Sequence, residues 1–284
     1  MSKSHYILRA AAPDAVGILA DVMGHLASHR LNVSESQDFG DPLTKRFFIW
    51  VRFEADEGFQ SAAFKDGFSS LADRRDIDWS LRSVDAQPRA IIMVSKGDHC
   101  LNDLLYRHRR GRLGAEIAAI VSNHPDAKWH AERNDIPFHH IPITKETKQA
   151  GEDQLRGLIA DTGSEILVLA RYMQILSEDM TRDISGRCIN IHHSALPSFK
   201  GARPYHQAHE RGVKLVGATA HYVTADLDEG PIIAQDVAPV DHRLSAERMA
   251  EMGKDIEARV LARAVKAHAE GRVFLNGKRT VVFE

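Results

Sequence analysis

Cysteine is scarce in this sequence: its 284 residues include two, Cys100 and Cys188, which stand far apart. Two separated cysteines cannot form a disulfide framework, and they provide no ligand cluster for a structural zinc ion. Cys188 also falls within a short apolar run that predicts a buried strand. We therefore expect reduced thiols, a cytoplasmic protein and no metal site.

Long apolar runs and an excess of basic residues are also missing. No apolar run approaches the roughly 18–20 residues of a membrane-spanning helix, and residues 1–5 lack the apolar core of a signal peptide. Lys and Arg total 37 against 39 Asp and Glu, which gives a net charge of −2. This balance argues against the large basic face that nucleic-acid binding requires. We expect neither a membrane nor a nucleic-acid partner.

The residues that are present are typical of a globular protein, with 43% hydrophobic and 27% charged residues. The length suits one large domain or two smaller ones. Apolar periodicity predicts strands at 4–11, 31–39, 47–53 and 79–81, and helices at 18–29 and 60–71. The order βαββαβ is that of a ferredoxin-like module, which we place at residues 1–84.

The turn between the first strand and the first helix contains Pro13-Asp14 and, after two residues, Gly17-Ile18. With this turn, the module resembles an ACT domain. The resemblance implies a regulatory and oligomerisation domain that binds a small amino acid and pairs by joining sheet edges, giving a homodimer or homotetramer. ACT domains commonly have a second proline just before the glycine, where this sequence has Ala15-Val16. An amino-acid sensor and a purely structural oligomerisation module therefore both stay open.

A polar linker at 85–88 precedes a second domain, residues 89–284, in which strands and helices alternate. Strands are predicted at 89–95, 116–121, 138–141 and 166–170, and helices at 100–110, 125–133, 147–160 and 244–271. The alternation predicts a doubly wound, mostly parallel, Rossmann-like α/β sheet, and a hairpin closes the chain. Ligands bind such sheets beyond the carboxyl ends of the strands.

Residues 190–228 carry the clearest chemical pattern. Asn190 and His192 stand two apart on a predicted strand, so their side chains share one face. A second strand at 217–223 runs into an acidic loop that ends at Gly230-Pro231. If the two strands are neighbours, an amide, an imidazole and a carboxylate meet. A carboxylate can accept a proton from an attacking water directly or by relay, while amide and imidazolium N–H groups stabilise an oxyanion.

The same stretch resembles the formyltransferase superfamily that uses 10-formyltetrahydrofolate. The similarity is carried by Asn190-x-His192-x-Ser194-x-Leu196-Pro197, by His221-x-Val223, and by Leu227-Asp228-x-Gly230-Pro231. The resemblance implies that Asn190, His192 and Asp228 are catalytic. It also implies a folate pocket with two walls, formed by Met173, Gln174, Ile175 and Leu176 and by Ala225, Asp226 and Leu227. His193, His221 and His99 are further candidates for proton transfer or structural hydrogen bonding.

The identity of the formyl acceptor decides the reaction. In the family's purine-synthesis transferase, a Gly-Ser-Asn-rich loop after the first strand holds a substrate phosphate; here residues 96–103 contain Asp98 and Asp103 instead. Two carboxylates oppose a phosphate dianion, since a screened like-charge pair at 4 Å costs about 1 kcal/mol or more. Water remains as the acceptor, and runs such as Ser95-Lys96-x-Asp98-His99 and Gly201-Ala202-Arg203-Pro204 resemble the superfamily's hydrolytic members that carry an ACT module.

The expectation is therefore hydrolysis of 10-formyltetrahydrofolate to formate and tetrahydrofolate, in one-carbon and purine metabolism. The folate is the substrate, so no cofactor is expected. Two alternatives stay open: formyl transfer to an amine acceptor, and a non-catalytic folate or amino-acid sensor.

Overall fold

The computed structural model describes residues 3–196 and 204–284. The chain divides into two compact units. The first contains residues 1–87, 270–276 and 281–284, and the second contains residues 88–269 and 277–280. Among the described residues, no helix has the length and apolar character needed to cross a membrane.

The first unit is a four-stranded antiparallel sheet with two helices. Its elements are β1 (Ser4–Pro13), α1 (Ile18–Ser28), β2 (Asn32–Asp41), β3 (Arg46–Ala55), α2 (Ser61–Arg75) and β4 (Asp78–Ser83). The strand order β2-β3-β1-β4 places β1 and β3 in the centre. The predicted ferredoxin-like βαββαβ module is confirmed.

One face of this sheet is covered by the apolar sides of the two helices. Ile18, Val22 and Leu26 recur at helical spacing on α1 and are buried. Phe64 and Phe68 occupy the matching side of α2 and are completely buried in the same cluster. The helix α1 begins after Gly17, whose φ of +90° lies in the left-handed region that favours glycine.

The other face of the sheet is packed by the end of the chain. Phe274 and Phe283 are buried in one cluster with Phe48 and Trp50 of β3. The guanidinium of Arg272 lies 3.9 Å from the centre of the Trp50 ring. The sequence pattern predicts that the whole C-terminal segment belongs to the second domain, residues 89–284, whereas the structure groups residues 270–276 and 281–284 with the first unit. The physical reason is that β3 is apolar on both faces and needs two covering layers.

We expect Phe274→Ala to destabilise the first unit by about 3–4 kcal/mol, because it removes a buried aromatic ring and leaves a cavity beside Phe48. Leu275→Ala is the matched control, since the neighbouring side chain is 46% exposed. Chemical denaturation followed by near-ultraviolet circular dichroism measures both variants. Equal stability of the two would contradict the packing of the chain end on this sheet.

The second unit is built on a seven-stranded sheet. Its elements are β5 (Arg89–Val94), α3 (His99–Arg109), β6 (Glu116–Ser122), a 3-10 turn (Pro125–Ala127), α4 (Lys128–Glu132), β7 (Phe138–His140), α5 (Lys148–Thr162), β8 (Ile166–Leu169), α6 (Glu178–Asp183), β9 (Cys188–His192), α7 (Pro204–Glu210), β10 (Leu215–Tyr222), β11 (Ile232–Pro239) and α8 (Ala246–Ala269). A further two-stranded sheet is formed by β12 (Val273–Asn276) and β13 (Arg279–Val282).

The seven strands are arranged in the order β11-β10-β9-β8-β5-β6-β7. The five strands from β9 to β7 are parallel to their neighbours, and β10 and β11 extend the sheet in antiparallel fashion. The predicted doubly wound, mostly parallel α/β fold is confirmed. The parallel strands β8 and β9 direct their carboxyl ends to the same edge, so the loops that follow them lie together.

Candidate active site

The site is built around the pairing of β9 with β10. In this antiparallel pair, Asn190 lies opposite His221 and His192 lies opposite Thr219. Asn190, His192 and His221 therefore project from the same face of the sheet. Because the strands are antiparallel, their ends do not lie side by side. The acidic loop after β10 instead returns over this face and brings Asp228 to His192.

The Asp228 carboxylate is the centre of the polar contacts. Its Oδ2 lies 3.2 Å from Nδ1 of His192, and its Oδ1 lies 3.6 Å from Nε2 of His221. The hydrogen bond from His192 holds the pKa of the Asp228 carboxyl well below its usual range. Asp228 also has a φ of +59°, a left-handed conformation that is uncommon for residues other than glycine, asparagine and aspartate.

The hydrogen bonds of His221 fix its tautomer. Its Nδ1 lies 2.9 Å from the carbonyl oxygen of Tyr222, which can only accept, so Nδ1 carries the proton. Its Nε2 lies 3.2 Å from Nδ2 of Asn190, which can only donate, whereas the Asp228 oxygen at 3.6 Å is beyond hydrogen-bond distance, so Nε2 accepts. Neutral His221 thereby orients the Asn190 amide and leaves one amide hydrogen of Asn190 for a ligand.

His192 is oriented by the carboxylate that it contacts. Because a carboxylate accepts, the Nδ1 that faces Asp228 carries the proton, and Nε2 of the neutral ring has a free electron pair. His192 is 7% exposed, and its Nε2 is buried without a hydrogen-bond partner in the described part of the chain. Such a nitrogen is suited to accept a proton from a bound molecule.

The chain after His192 is held by Thr219 and by a strand that the sequence analysis did not predict. Thr219 Oγ1 donates to the carbonyl of Ser194 at 2.8 Å and accepts from the N–H of Leu196 at 3.0 Å. Gln235 of β11 adds a hydrogen bond to Thr219 at 2.9 Å. These contacts bend the chain away from the strand, so His193 faces the same pocket as His192.

Gly230 closes the acidic loop against β10. A Cβ at this position would lie 1.7 Å from the carbonyl oxygen of Tyr222, so the approach is possible for glycine alone. The next residue, Pro231, accepts a hydrogen bond from the N–H of Tyr222 at 2.9 Å. The Gly-Pro pair thus fixes the position of the loop that carries Asp228.

Gly230→Ala is expected to lower stability by about 2–3 kcal/mol, because the added methyl group forces the loop away from Tyr222. Turnover should also fall by about tenfold or more, since the displacement moves Asp228 relative to His192. The control is Gly157→Ala, where a Cβ meets no atom within 4 Å inside α5. Thermal unfolding and initial rates compare the two variants, and identical behaviour would refute the close approach.

Beside these polar groups lies a pocket of about 440 Å³. Its lining includes all the residues proposed from sequence for catalysis and folate binding: Asn190, His192, Asp228, Met173, Gln174, Ile175, Leu176, Ala225, Asp226 and Leu227, together with His193 and His221. Met173, Ile175 and Leu227 are 62%, 65% and 59% exposed, and all three line this one pocket. A pocket with polar groups at one end and apolar side chains at its rim suits a flat ring with a reactive substituent.

The pocket wall after β8 is anchored by side chains that the sequence analysis did not single out for this purpose. Ser95, at the end of β5, accepts a hydrogen bond from the N–H of Met173 at 2.9 Å and donates to Asn123 at 2.6 Å. At the far end of the wall, the N–H of Ser177 donates to buried Glu152 at 2.7 Å. These anchors hold the backbone of residues 173–176 in place.

His99 does not line the pocket and belongs instead to a buried network that reaches the pocket through Arg171. Its Nε2 is 2.8 Å from Glu257 of α8, which also accepts a hydrogen bond from Tyr205 at 2.9 Å and lies 3.4 Å from Arg171. Glu257 is 1% exposed. Burial alone would raise the pKa of Glu257, but the hydrogen bond from His99 and the charge of Arg171 bring it below the ordinary value. This network could not be predicted from sequence because α8 supplies Glu257 from far along the chain.

His99, Cys100 and Glu257 place their ligand atoms within 4.8 Å of one another, as metal ligands would. One observation opposes a metal there: the guanidinium of Arg171 already faces Glu257 at 3.4 Å. His99 and Glu257 are better explained as members of a hydrogen-bonded network with Tyr205.

Both aspartates of the loop at residues 96–103 contact polar side chains. Asp98 lies 3.0 Å from His130 and accepts a hydrogen bond from Asn102 at 3.1 Å. Asp103 lies 2.7 Å from Arg107. Of the other motifs that carried the resemblance, Pro197 and residues 201–203 lie outside the described residues.

Lowering the pH from about 6.5 towards 4 should destabilise the protein through His193. Burial, Arg171 and His192 lower the pKa of His193 to about 4, so the folded state binds its proton less readily than the unfolded chain, where the value is about 6.5. Stability from this group is present above pH 6.5 and is lost as the pH falls through 4. The melting temperature of His193→Phe should therefore fall less over this interval than that of the unaltered protein. Parallel curves would contradict the assignment.

Comparisons with known proteins place these features in context. The sequence profile described as formyl transferase matches residues 88–265. A formyltetrahydrofolate deformylase of Corynebacterium sp. (strain P-1) is 48% identical over 278 residues, which cover 98% of this chain and 97% of the relative. The crystal structure of a formyltetrahydrofolate deformylase from Burkholderia mallei ATCC 23344 shares 49% identity and a TM-score of 0.95, covering 99% of this chain and 100% of its own. Glycinamide ribonucleotide transformylase 1 from Symbiobacterium toebii shares 30% identity and a TM-score of 0.65, covering 70% of this chain and 95% of its own.

Proposed function

The chain belongs to the formyl transferase family, and on this premise we propose that it hydrolyses 10-formyltetrahydrofolate to formate and tetrahydrofolate. The observation that carries the proposal is the pocket in which Asn190 and the His192–Asp228 pair face one another. The relatives that match nearly the whole chain are named formyltetrahydrofolate deformylase. The sequence-based recognition of this family is confirmed.

Proton transfer in the proposed reaction passes through His192. The lowered pKa of Asp228 keeps this carboxylate ionised and makes it a poor direct base. Nε2 of His192 has the free electron pair and is aimed away from Asp228. His192 therefore accepts the proton of the attacking water, and the negative charge of Asp228 stabilises the imidazolium that forms.

Asn190 acts on the formyl oxygen in this proposal. As water adds to the formyl carbon, the oxygen gains negative charge, and the free amide hydrogen of Asn190 donates to it. His221 holds the amide in this orientation through its Nε2. The tetrahedral intermediate then collapses, and the imidazolium of His192 returns the proton to the departing folate nitrogen. The proposed steps use side chains alone, and the folate is the substrate rather than a cofactor.

The folate ring system is proposed to lie between the two walls of the pocket. Residues 173–176 form one wall and residues 225–227 the other. Anchored main-chain groups on both walls can pair with the polar edge of a pterin, while the exposed apolar rim contacts its faces. The formyl group is then directed towards His192.

An acceptor-free assay tests the function. Purified protein and 10-formyltetrahydrofolate are mixed without any amine, and formate and tetrahydrofolate are measured together. The proposal predicts equal amounts of both products at enzymatic rates. If formate appears only after an amine acceptor is added, the chain is a transferase; folate binding with no formate under either condition indicates a sensor.

We also propose that the first unit is an ACT domain that binds a small amino acid, such as glycine or methionine, and pairs copies of the chain into a homodimer or homotetramer. The support is the βαββαβ module with β2 at an edge of its sheet. Phe39, 43% exposed on β2, offers a test in the full chain. Phe39→Lys should reduce the mass found by analytical ultracentrifugation, and calorimetry with either amino acid should show binding. An unchanged mass and no heat would refute this role.

The cytoplasmic location and a place in purine synthesis remain predictions.

A further inference from the structure

His193, like its neighbour His192, has a ring nitrogen without a hydrogen-bond partner among the described residues. The Nε2 atoms of both rings are buried without a hydrogen-bond partner in residues 3–196 and 204–284. The two rings stack with centroids 4.6 Å apart and planes 23° apart, and both line the pocket. Two buried nitrogens on stacked rings cost free energy unless a bound molecule satisfies both.

The two nitrogens have opposite roles. NH1 of Arg171 lies 3.0 Å from Nδ1 of His193, and a guanidinium can only donate, so this nitrogen accepts and the proton of His193 is on Nε2. In His192 the proton is on Nδ1, facing Asp228, and Nε2 accepts. The two stacked rings therefore provide one N–H donor and one nitrogen acceptor.

The protonation of His193 suits a permanent donor. Burial lowers its pKa, and the neighbouring Arg171 and His192 lower it further, to about 4. The ring stays neutral near pH 7, and its Nε2–H remains in place. Arg171 itself lies 3.4 Å from buried Glu257. Its backbone φ of +65° is in the left-handed region, which is uncommon for residues other than glycine.

On these contacts, and on the proposed hydrolysis, we propose that His193 is a catalytic residue that holds the attacking water. Water donates one hydrogen to Nε2 of His192 and accepts a hydrogen bond from Nε2–H of His193. Its oxygen bonds to the formyl carbon as its proton passes to His192. The carbonyl electron pair moves to the formyl oxygen, and the C–N bond then breaks as the proton passes to the folate nitrogen. The products are formic acid, which ionises to formate, and tetrahydrofolate.

This arrangement predicts a preference for water over other nucleophiles. Hydrolysis places a second oxygen on the formyl carbon. His193 donates a hydrogen bond to that oxygen while it is still in water, in the tetrahedral intermediate and in the product. A nucleophile such as hydroxylamine does not need His193 to reach the formyl carbon, because its own amine is more reactive than water. Loss of His193 should therefore affect hydrolysis more than transfer to hydroxylamine.

The test measures formate and formohydroxamate in one reaction with 10-formyltetrahydrofolate and hydroxylamine, after subtracting an enzyme-free blank. His193→Ala should lower formate release by about 100-fold and raise the formohydroxamate-to-formate ratio by about tenfold or more. The ratio does not depend on the amount of folded enzyme. His193→Phe keeps a planar ring beside His192 without the donor, and it gives the same reading if the alanine variant fails to fold. His242→Ala, an exposed histidine in a turn, is the matched control.

The possible outcomes distinguish a failure of the proposed role of His193 from a failure of the proposed hydrolysis. If the unaltered protein releases no formate, the proposed hydrolysis fails. If it does, but both products fall by the same factor in the His193 variants, the side chain is structural and the inference is overturned. Unchanged formate release in either variant overturns it as well.

Discussion

Replacing Asp228 with asparagine is expected to lower turnover by about 10³–10⁴-fold, with folate affinity changed by less than about threefold. The carboxylate sets the tautomer of His192 and stabilises the imidazolium that forms after proton transfer. Asparagine removes the charge while keeping the shape of the side chain. It also tolerates the left-handed backbone at this position, where φ is +59°. The substitution therefore tests the charge and leaves the loop in place.

Asp135→Asn is the matched control for this experiment. Asp135 is an exposed residue of the same unit, and its φ of +55° is similar to that of Asp228. It should retain full activity. Turnover is measured as formate release at saturating folate, and affinity as quenching of protein fluorescence. Asp228→Asn with more than about a tenth of normal turnover would show that proton transfer does not depend on this carboxylate.

The second large effect is expected for His192→Asn, which should lower turnover by about 10³-fold. The shorter amide can still donate to Asp228 from near the position of Nδ1, but it has no group at the position of Nε2. The remaining candidate base is then Asp228, which the lost ring no longer connects to the attacking water. The residual rate should come from binding and from the Asn190 donor alone.

His209→Asn, at an exposed histidine of α7, is the control for His192→Asn. Comparing the two variants at saturating folate separates loss of the base from a general effect of replacing histidine. If His192→Asn retained turnover within about tenfold of normal, another group would be the base.

Much of the fold follows from local patterns in the sequence. The central strands of the second unit are short apolar runs, and its longer helices have apolar stripes, so their order predicted the α/β class. The edge strand β11 was not predicted, because its sequence has neither a sustained apolar run nor a strict alternation of buried and exposed residues. Short α6 has an N-cap at Ser177, but its six residues are too few to show a helical period.

The candidate site, like the fold, could be predicted from the sequence only in part. The spacing of Asn190 and His192 gave a shared face directly, and the resemblance to a family supplied Asp228. The sequence could not give the tautomers of the histidines, because those depend on Tyr222, Arg171 and the returning loop. Arg171 itself stands in the predicted loop after β8, yet nothing local indicates that Glu257 holds it. Contacts between segments far apart in the chain decide which histidine ring nitrogen is free. A short sequence motif contains no information about such contacts.

The most direct test is a single turnover in water enriched in oxygen-18, with protein in excess over 10-formyltetrahydrofolate and no amine present. Attack by water on the formyl carbon predicts formate with one heavy oxygen in that first turnover. Unlabelled formate would mean that a carboxylate oxygen of the protein had attacked the formyl carbon and that water had then attacked the carboxylate carbon of the resulting anhydride. The assignment of His192 and Asp228 as base and partner would then be wrong.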